Sequence, residues 1–142
     1  MNTCLPCDTR KQRIRLLIAD DAPRSRNGLR ALLATLRLNG LATRPPAPIE
    51  PQVDVVGEAV DGHEAVCMVA ECRPDVVLMD ARMPVMDGLT ATRQIKKRWP
   101  EVKVVVLTLY ASYRAEAMAS GADAFLLKGC PPEELLEAIL GN

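Results

Sequence analysis

The chain has no excess of charge of either sign: 18 Lys and Arg face 18 Asp and Glu, so formal net charge is zero. Bulk attraction to nucleic acid or to an anionic membrane is thereby excluded as a working principle. Any function that uses charge must be local. The chain also lacks an apolar run near the roughly 18 to 20 residues needed to span a bilayer. Its opening, MNTCLPCDTRKQRIR, lacks the apolar core of a secretory signal. A cytoplasmic protein without membrane contact is expected. Histidine is nearly missing, with His63 alone. A zinc site built on the lone C-x-x-C of Cys4 and Cys7 would need two further ligands, so residues 1–12 are expected to form a flexible tail instead. Cys67, Cys72 and Cys130 bring the cysteines to an odd five without framework spacing, as in proteins whose thiols stay reduced.

What the chain does have is enough for one domain: 142 residues, 49% of them hydrophobic. Short runs rich in β-branched residues alternate with segments of helical period, the pattern of βα units around a buried parallel sheet. Five strands are predicted, at Ile14 to Ala19, Val53 to Ala59, Val76 to Met79, Val102 to Leu107 and Ala124 to Leu127. In the first helix Leu29, Leu32, Leu33 and Leu36 form one apolar face, leaving Arg24, Arg26, Arg30 and Arg37 for the wet side. The second opens on Asp61 and Glu64, spaced like a capping box, with His63 solvated in the same turn and Ala65, Met68, Val69 and Cys72 turned inward.

A third helix runs from about Thr90 to Arg98 and stops at Trp99–Pro100. Its Lys96-Lys97-Arg98 end reads as solvated charge complementing the helix dipole. The fourth, about Arg114 to Ser120, is short and poorly apolar, hence the least firmly held. Pro131 and Pro132 introduce the last, whose Leu135, Leu136, Ile139 and Leu140 share a face. NGLATRPPAPIEPQ, residues 39–52, carries four prolines and no periodicity, and is predicted to be an extended loop inserted between the first helix and the second strand.

In an open parallel sheet, function collects beyond the carboxyl ends of the strands. The residues there are Asp20 and Asp21 after the first strand, Asp80 after the third, Thr108 after the fourth and Lys128 after the fifth. Each has a mundane explanation by itself, as a helix cap, a strand former or a strand-end charge. All of them on one edge is different. Three carboxylates packed together repel unless a hard cation joins them, and an all-oxygen donor set suits Mg2+ or Mn2+ rather than zinc. A carboxylate can act as nucleophile toward a phosphoryl group, provided an ion, an ammonium and a hydroxyl meet the incoming oxygens.

The segments LLIADDAP (16–23), DVVLMDARMPVMDGL (75–89), VVVLT (104–108) and GADAFLLKG (121–129), in that order, resemble the receiver domains of two-component response regulators. The resemblance covers roughly residues 13–140, with 13–142 as the domain. It implies a flavodoxin-like (CheY-like) α/β fold, a doubly wound (βα)5 parallel sheet of strand order 2-1-3-4-5. It further implies that Asp80 accepts a phosphoryl group from a sensor histidine kinase, with Mg2+ (or Mn2+) held by Asp21, Asp80 and the backbone carbonyl of Arg82, and by Asp20 through water. Lys128 would grip the phosphoryl oxygens, Thr108 would move to bond one of them, and Phe125 would turn inward as Thr108 shifts. Met83, Pro84, Asp87 and Gly88 would support the site, Asp87 as a helix cap. The output would be a changed surface on the fourth helix, fifth strand and fifth helix. Such a protein catalyses at most its own phosphorylation and dephosphorylation, and so is not an enzyme in the usual sense.

Several positions depart from that pattern. Leu109 stands where the family usually has a small residue, and Arg82 and Tyr110 stand where the family tunes phosphoryl lifetime. Gly129 follows Lys128 where many receivers have a proline. The ending LLKG-x-PPEELLEAI resembles receivers joined to LuxR-type helix-turn-helix domains. No such module follows Asn142, so DNA contact would come only through an effector domain outside this chain, and the chain would be either a stand-alone receiver or the receiver part of a longer transcriptional regulator. Dimerisation through the first and last helices, or through the fourth helix and fifth strand, would match other family members. Two alternatives stay open: a degenerate receiver acting by protein–protein interaction, and a Mg2+-dependent aspartyl phosphatase. Against the latter, DDAP follows the first strand where such enzymes have D-x-D. A nucleotide or flavin binder would need a glycine-rich phosphate loop in place of DDAPRSRNG.

Overall fold

In a computed structural model of the chain, residues 13–43 and 52–141 are described, with side chains of 36–43 left aside. The elements alternate strictly: β1 (Arg13–Ala19), α1 (Pro23–Thr43), β2 (Gln52–Ala59), α2 (Gly62–Cys72), β3 (Val76–Met79), α3 (Gly88–Arg98), β4 (Lys103–Thr108), α4 (Arg114–Ala119), β5 (Ala124–Leu127) and α5 (Pro132–Leu140). All pairings are parallel, in the order β2-β1-β3-β4-β5. The expected fold and strand order are present.

Alternation along each central strand sends side chains to two separate cores. Leu17, Ala19, Val77, Met79, Val104 and Val106 meet Ala65, Val69, Leu89, Ala91, Ile95 and Ala117 of α2, α3 and α4. Leu16, Ile18, Val76, Leu78, Val105 and Leu107 face Leu33, Leu135 and Ile139 of α1 and α5. Because helices cover both faces, β1, β3 and β4 are apolar through residues 16–19, 76–79 and 104–107, and polar residues are left to their ends.

The strand limits differ from expectation by a residue at most. The larger difference is α1, which runs to Thr43 and so takes in residues 39–43 of the predicted proline-rich loop. Asn39 and Gly40 only weaken a helix, and the residues that bar one begin at Pro45. The rest of that loop before Gln52, like Cys4, Cys7 and the predicted tail, lies outside the described residues.

Two basic side chains read as solvated are held inside. Lys96 donates to the carbonyls of Pro100 and Val102 and to Asp123 Oδ2, at 2.8–2.9 Å. Arg26, with a side chain only 15% exposed, turns from α1 toward the sheet. At the start of α2, Asp61 accepts from the Glu64 amide, while Glu64 Oε1 reaches one residue past the usual capping-box partner to the Val60 amide.

Candidate functional site

The exits of β1 and β3 lie side by side at the point where strand order reverses. Asp20 and Asp80 continue the ladder there, Asp20 N donating to Ala59 O and Asp80 N to Ala19 O, each at 2.9 Å. That registration brings one carboxylate oxygen each of Asp20, Asp21 and Asp80 within 4.8 Å of one another, the set among the described residues able to hold a metal ion. They line an open cleft of about 800 Å³ with Arg82, Thr108, Leu109, Tyr110 and Lys128.

Each acidic residue has a different environment. Asp20 is 2% exposed and its oxygens are already occupied: Oδ1 accepts from the Ala22 amide at 2.9 Å, and Oδ2 from Ser25 Oγ at 2.6 Å and Lys128 Nζ at 2.7 Å. Asp21 is exposed. Asp80 Oδ2 accepts from Lys128 Nζ at 3.1 Å, and Oδ1 from the Arg82 amide at 3.3 Å. Lys128 therefore bridges the buried Asp20 and the half-buried Asp80, and its own amide donates to Thr108 O at 2.8 Å, tying the ends of β4 and β5. Beside them the Thr108 hydroxyl, buried at 1%, has no hydrogen-bond partner. Such a group normally finds one.

The proton affinities follow. Burial works to raise Asp20, but hydrogen bonds from Lys128, Ser25 and Ala22 outweigh it and hold the carboxyl below its usual value. Burial wins at Asp80, which with the neighbouring Asp20 charge holds it above its usual value despite Lys128. Burial opposes the Lys128 charge, yet Asp20 and Asp80 hold that ammonium above its usual value. The sign of the linkage differs between the two acids. Asp20 contributes stability that is present above the unfolded carboxylate range and lost as pH falls through its depressed folded value. Asp80 costs stability as pH rises from the unfolded value through its raised folded one. In EDTA at pH 7, Asp80→Asn is expected to melt no lower than wild type and up to a few degrees higher, with the gap closing as the pH enters the carboxylate range. A lower melting temperature for the variant at pH 7 would contradict this account of the buried charge.

The all-oxygen donors fit a hard divalent cation. Of the three carboxyls, that of Asp20 is pinned by hydrogen bonds while that of Asp21 is exposed. At the rim, Leu109 is 65% exposed, so it flanks the cleft mouth, and the Arg82 guanidinium lies 5.5 Å from the centroid of the Tyr110 ring. Phe125 is already buried, with Arg114 over its ring at 5.0 Å. Asp87 caps α3, its Oδ1 accepting from the Thr90 amide at 2.7 Å. After Lys128, Gly129 turns the chain at φ +91°, a conformation glycine adopts freely and proline cannot.

Sequence reasoning missed two contributors, both on the first turns of α1. Ser25 caps the Asp20 carboxylate, and Arg26 Nη1 donates to the Asp20 carbonyl at 2.7 Å. Ser25 offered a signal, a hydroxyl five residues past Asp20 on the entering helix. Arg26 offered none among its neighbouring arginines.

Comparison with known proteins agrees with this arrangement. The family described as "Response regulator receiver domain" matches residues 48–140. The transcriptional regulatory protein DegU of Brevibacillus brevis is 35% identical over 131 residues, 91% of this chain and 50% of that protein. The response regulator protein VraR of Staphylococcus saprophyticus is 37% identical over 130 residues, 89% of this chain and 54% of that one. Among solved structures, a LuxR-family two-component response regulator from Aurantimonas sp. SI85-9A1 superposes with TM-score 0.71 at 30% identity, covering 89% of this chain and 81% of that chain. The response regulator domain of Thermotoga maritima CheB gives 0.71 at 31%, covering 89% and 92%. The doubly wound sheet with an acidic switch-point cleft is thus that of a two-component signalling module, and the chain belongs to the response regulator receiver domain family. Its relatives include transcriptional regulators, and it spans about half the length of the two curated relatives named. No helix among the described residues is long and apolar enough to cross a membrane.

Proposed function

We propose that the chain is a phosphorylation-controlled switch in which Asp80 takes a phosphoryl group from the phosphohistidine of a sensor histidine kinase. The observation that carries this reading is Lys128 Nζ bridging Asp20 and Asp80 at 2.7 and 3.1 Å beside the unpartnered Thr108 hydroxyl. A nucleophile, a cation and an unused donor meet at one point. A carboxylate oxygen of Asp80 forms the new bond to phosphorus as the P–N bond to the donor imidazole breaks, the bonding pair returning to the ring nitrogen. An acyl phosphate results. Asp21, Asp80 and the Arg82 carbonyl would hold Mg2+ directly and Asp20 through water, and the bound ion would neutralise phosphoryl charge during transfer. Lys128 swings its attention from Asp80 to the new oxygens, and the Thr108 hydroxyl gains the acceptor it lacks.

Phosphorylation adds roughly 1.5 to 2 negative charges at that point. Drawing Thr108 toward them shifts the end of β4 and with it the weakly held α4, so the α4/β5/α5 face is the one that reports the state. Relatives such as DegU support a role as the receiver part of a transcriptional regulator, with DNA contacted by another domain and the cytoplasm as its site of action.

The test is incubation with Mg2+ and acetyl phosphate followed by intact-mass measurement. Wild type is expected to gain one phosphoryl mass only when Mg2+ is present, and Asp80→Asn none. An equal gain on the variant, or no gain on wild type, would sink the proposal.

A further inference from the structure

The site needs something to hold the backbone from which Asp20 and Asp21 project. β1 ends at Ala19, and the Asp20 peptide is the last to join the ladder, through its amide to Ala59 O. Its carbonyl has no strand beyond it to pair with, and a buried carbonyl requires a donor. Arg26 supplies one. Nη1 donates to Asp20 O at 2.7 Å while Nε of the same guanidinium donates to Glu58 Oε1 at 2.8 Å. Glu58 lies on β2, one residue before Ala59, so the guanidinium spans α1, the edge strand and the β1 exit. The planar fork of arginine makes this two-way contact from two nitrogens held in fixed geometry, whereas a lysine would have to reach both acceptors from one nitrogen on a flexible stem.

We infer that Arg26, oriented by Glu58, is a positioning residue for divalent-cation binding: it pins the Asp20 peptide so that Asp21 projects into the cleft toward Asp80. The inference rests on the phosphoryl-switch reading insofar as it takes the acidic cluster to be a metal site. Arg30 provides an internal control. It pairs with the other oxygen of the same carboxylate, Nη1 to Glu58 Oε2 at 2.6 Å, but does not touch Asp20. A role limited to fastening α1 to β2 would make the two arginines equivalent; positioning of the acidic cluster makes them differ.

The experiment titrates Mg2+ into wild type, Arg26→Met, Arg26→Lys and Arg30→Ala by calorimetry, with circular dichroism to verify folding. The half-saturating Mg2+ and plateau rate of phosphorylation by acetyl phosphate are measured in parallel. Arg26→Met is expected to weaken Mg2+ binding tenfold or more and Arg26→Lys about threefold to fivefold, while Arg30→Ala stays within twofold of wild type. The half-saturating Mg2+ should rise by the same factors with plateau rates kept within about twofold, since no group touching the phosphoryl is removed. If Arg26→Met does not fold, Arg26→Lys decides the matter. Folded Arg26 variants that bind Mg2+ within twofold of wild type overturn the inference, as does Arg30→Ala weakening it equally. Wild type that binds no Mg2+ overturns the metal site itself and this assignment with it, an outcome separate from equal binding by all four proteins.

Discussion

Replacing Lys128 with alanine is expected to separate two properties that otherwise travel together, strengthening Mg2+ binding several-fold while slowing phosphoryl uptake by about 10² to 10³. The ammonium is the charge that now compensates Asp20 and Asp80, at 2.7 and 3.1 Å. Without it the cluster is more negative, and a divalent ion is drawn in more strongly. The same loss removes a donor aimed at charge carried by the transferring group, and single donors of that kind contribute about two to three orders of magnitude to rate. In EDTA the variant leaves the buried Asp20 and half-buried Asp80 carboxylates without their cation. A fully buried pair broken this way costs about 3 to 5 kcal/mol. Lys128 retains 20% side-chain exposure, so about 2 kcal/mol is expected, or a fall of roughly 8 °C in melting temperature for a chain of this size. Calorimetric Mg2+ titration, acetyl phosphate kinetics and a melt in EDTA read the three quantities. Mg2+ affinity falling in step with rate would mean that Lys128 shapes the site rather than opposing its charge.

Gly88→Ala is expected to cost more than about 3 kcal/mol and to abolish Mg2+-dependent phosphorylation at temperatures where wild type is active. Gly88 opens α3 directly behind the acidic exit of β3, its amide donating to Ala81 O at 2.9 Å. A β-carbon there would overlap the Asp80 carbonyl oxygen and crowd Met79. Overpacking costs about 1 to 3 kcal/mol when side chains can yield. Here the obstacle is backbone, and it is the backbone of the proposed phosphoacceptor, Asp80. Gly28 is the matched control: it lies within α1 with open space where a β-carbon would go, so Gly28→Ala should raise stability by about 0.5 to 1 kcal/mol. Denaturant melts of the two variants check the contrast, and similar effects from both would contradict the packing argument.

The fold was legible in the sequence because buried parallel strands are written as uninterrupted apolar runs. VVLM and VVVLT cannot be mistaken for amphipathic helix. The acidic cluster was legible for a related reason: in this architecture a residue's position after its strand is also its position in space, so Asp20, Asp21, Asp80 and Lys128 could be placed on one edge without contacts. Residues that reach the site sideways were hidden. Arg26 looks in sequence like Arg24 and Arg30, and only its rotation about α1 distinguishes the guanidinium that bonds Asp20 from the others. Lys96 is a similar case, since periodicity places it near a helix end but does not reveal three acceptors converging from two other segments. The extent of α1 was not legible because the lack of period across residues 39–52 does not mark where a helix must stop: nothing before Pro45 bars one, and α1 runs to Thr43.

The single buried residue of α4, Ala117, also bears on what kind of surface this protein can present. An alanine has little area to lose, and the outward positions Ala115, Met118 and Ala119 carry almost no share of holding the domain together. Substitutions there can be accepted one at a time without threatening the sheet or its cleft. A helix so lightly moored is free to acquire a new vocabulary of contacts while the sheet beneath it stays unchanged.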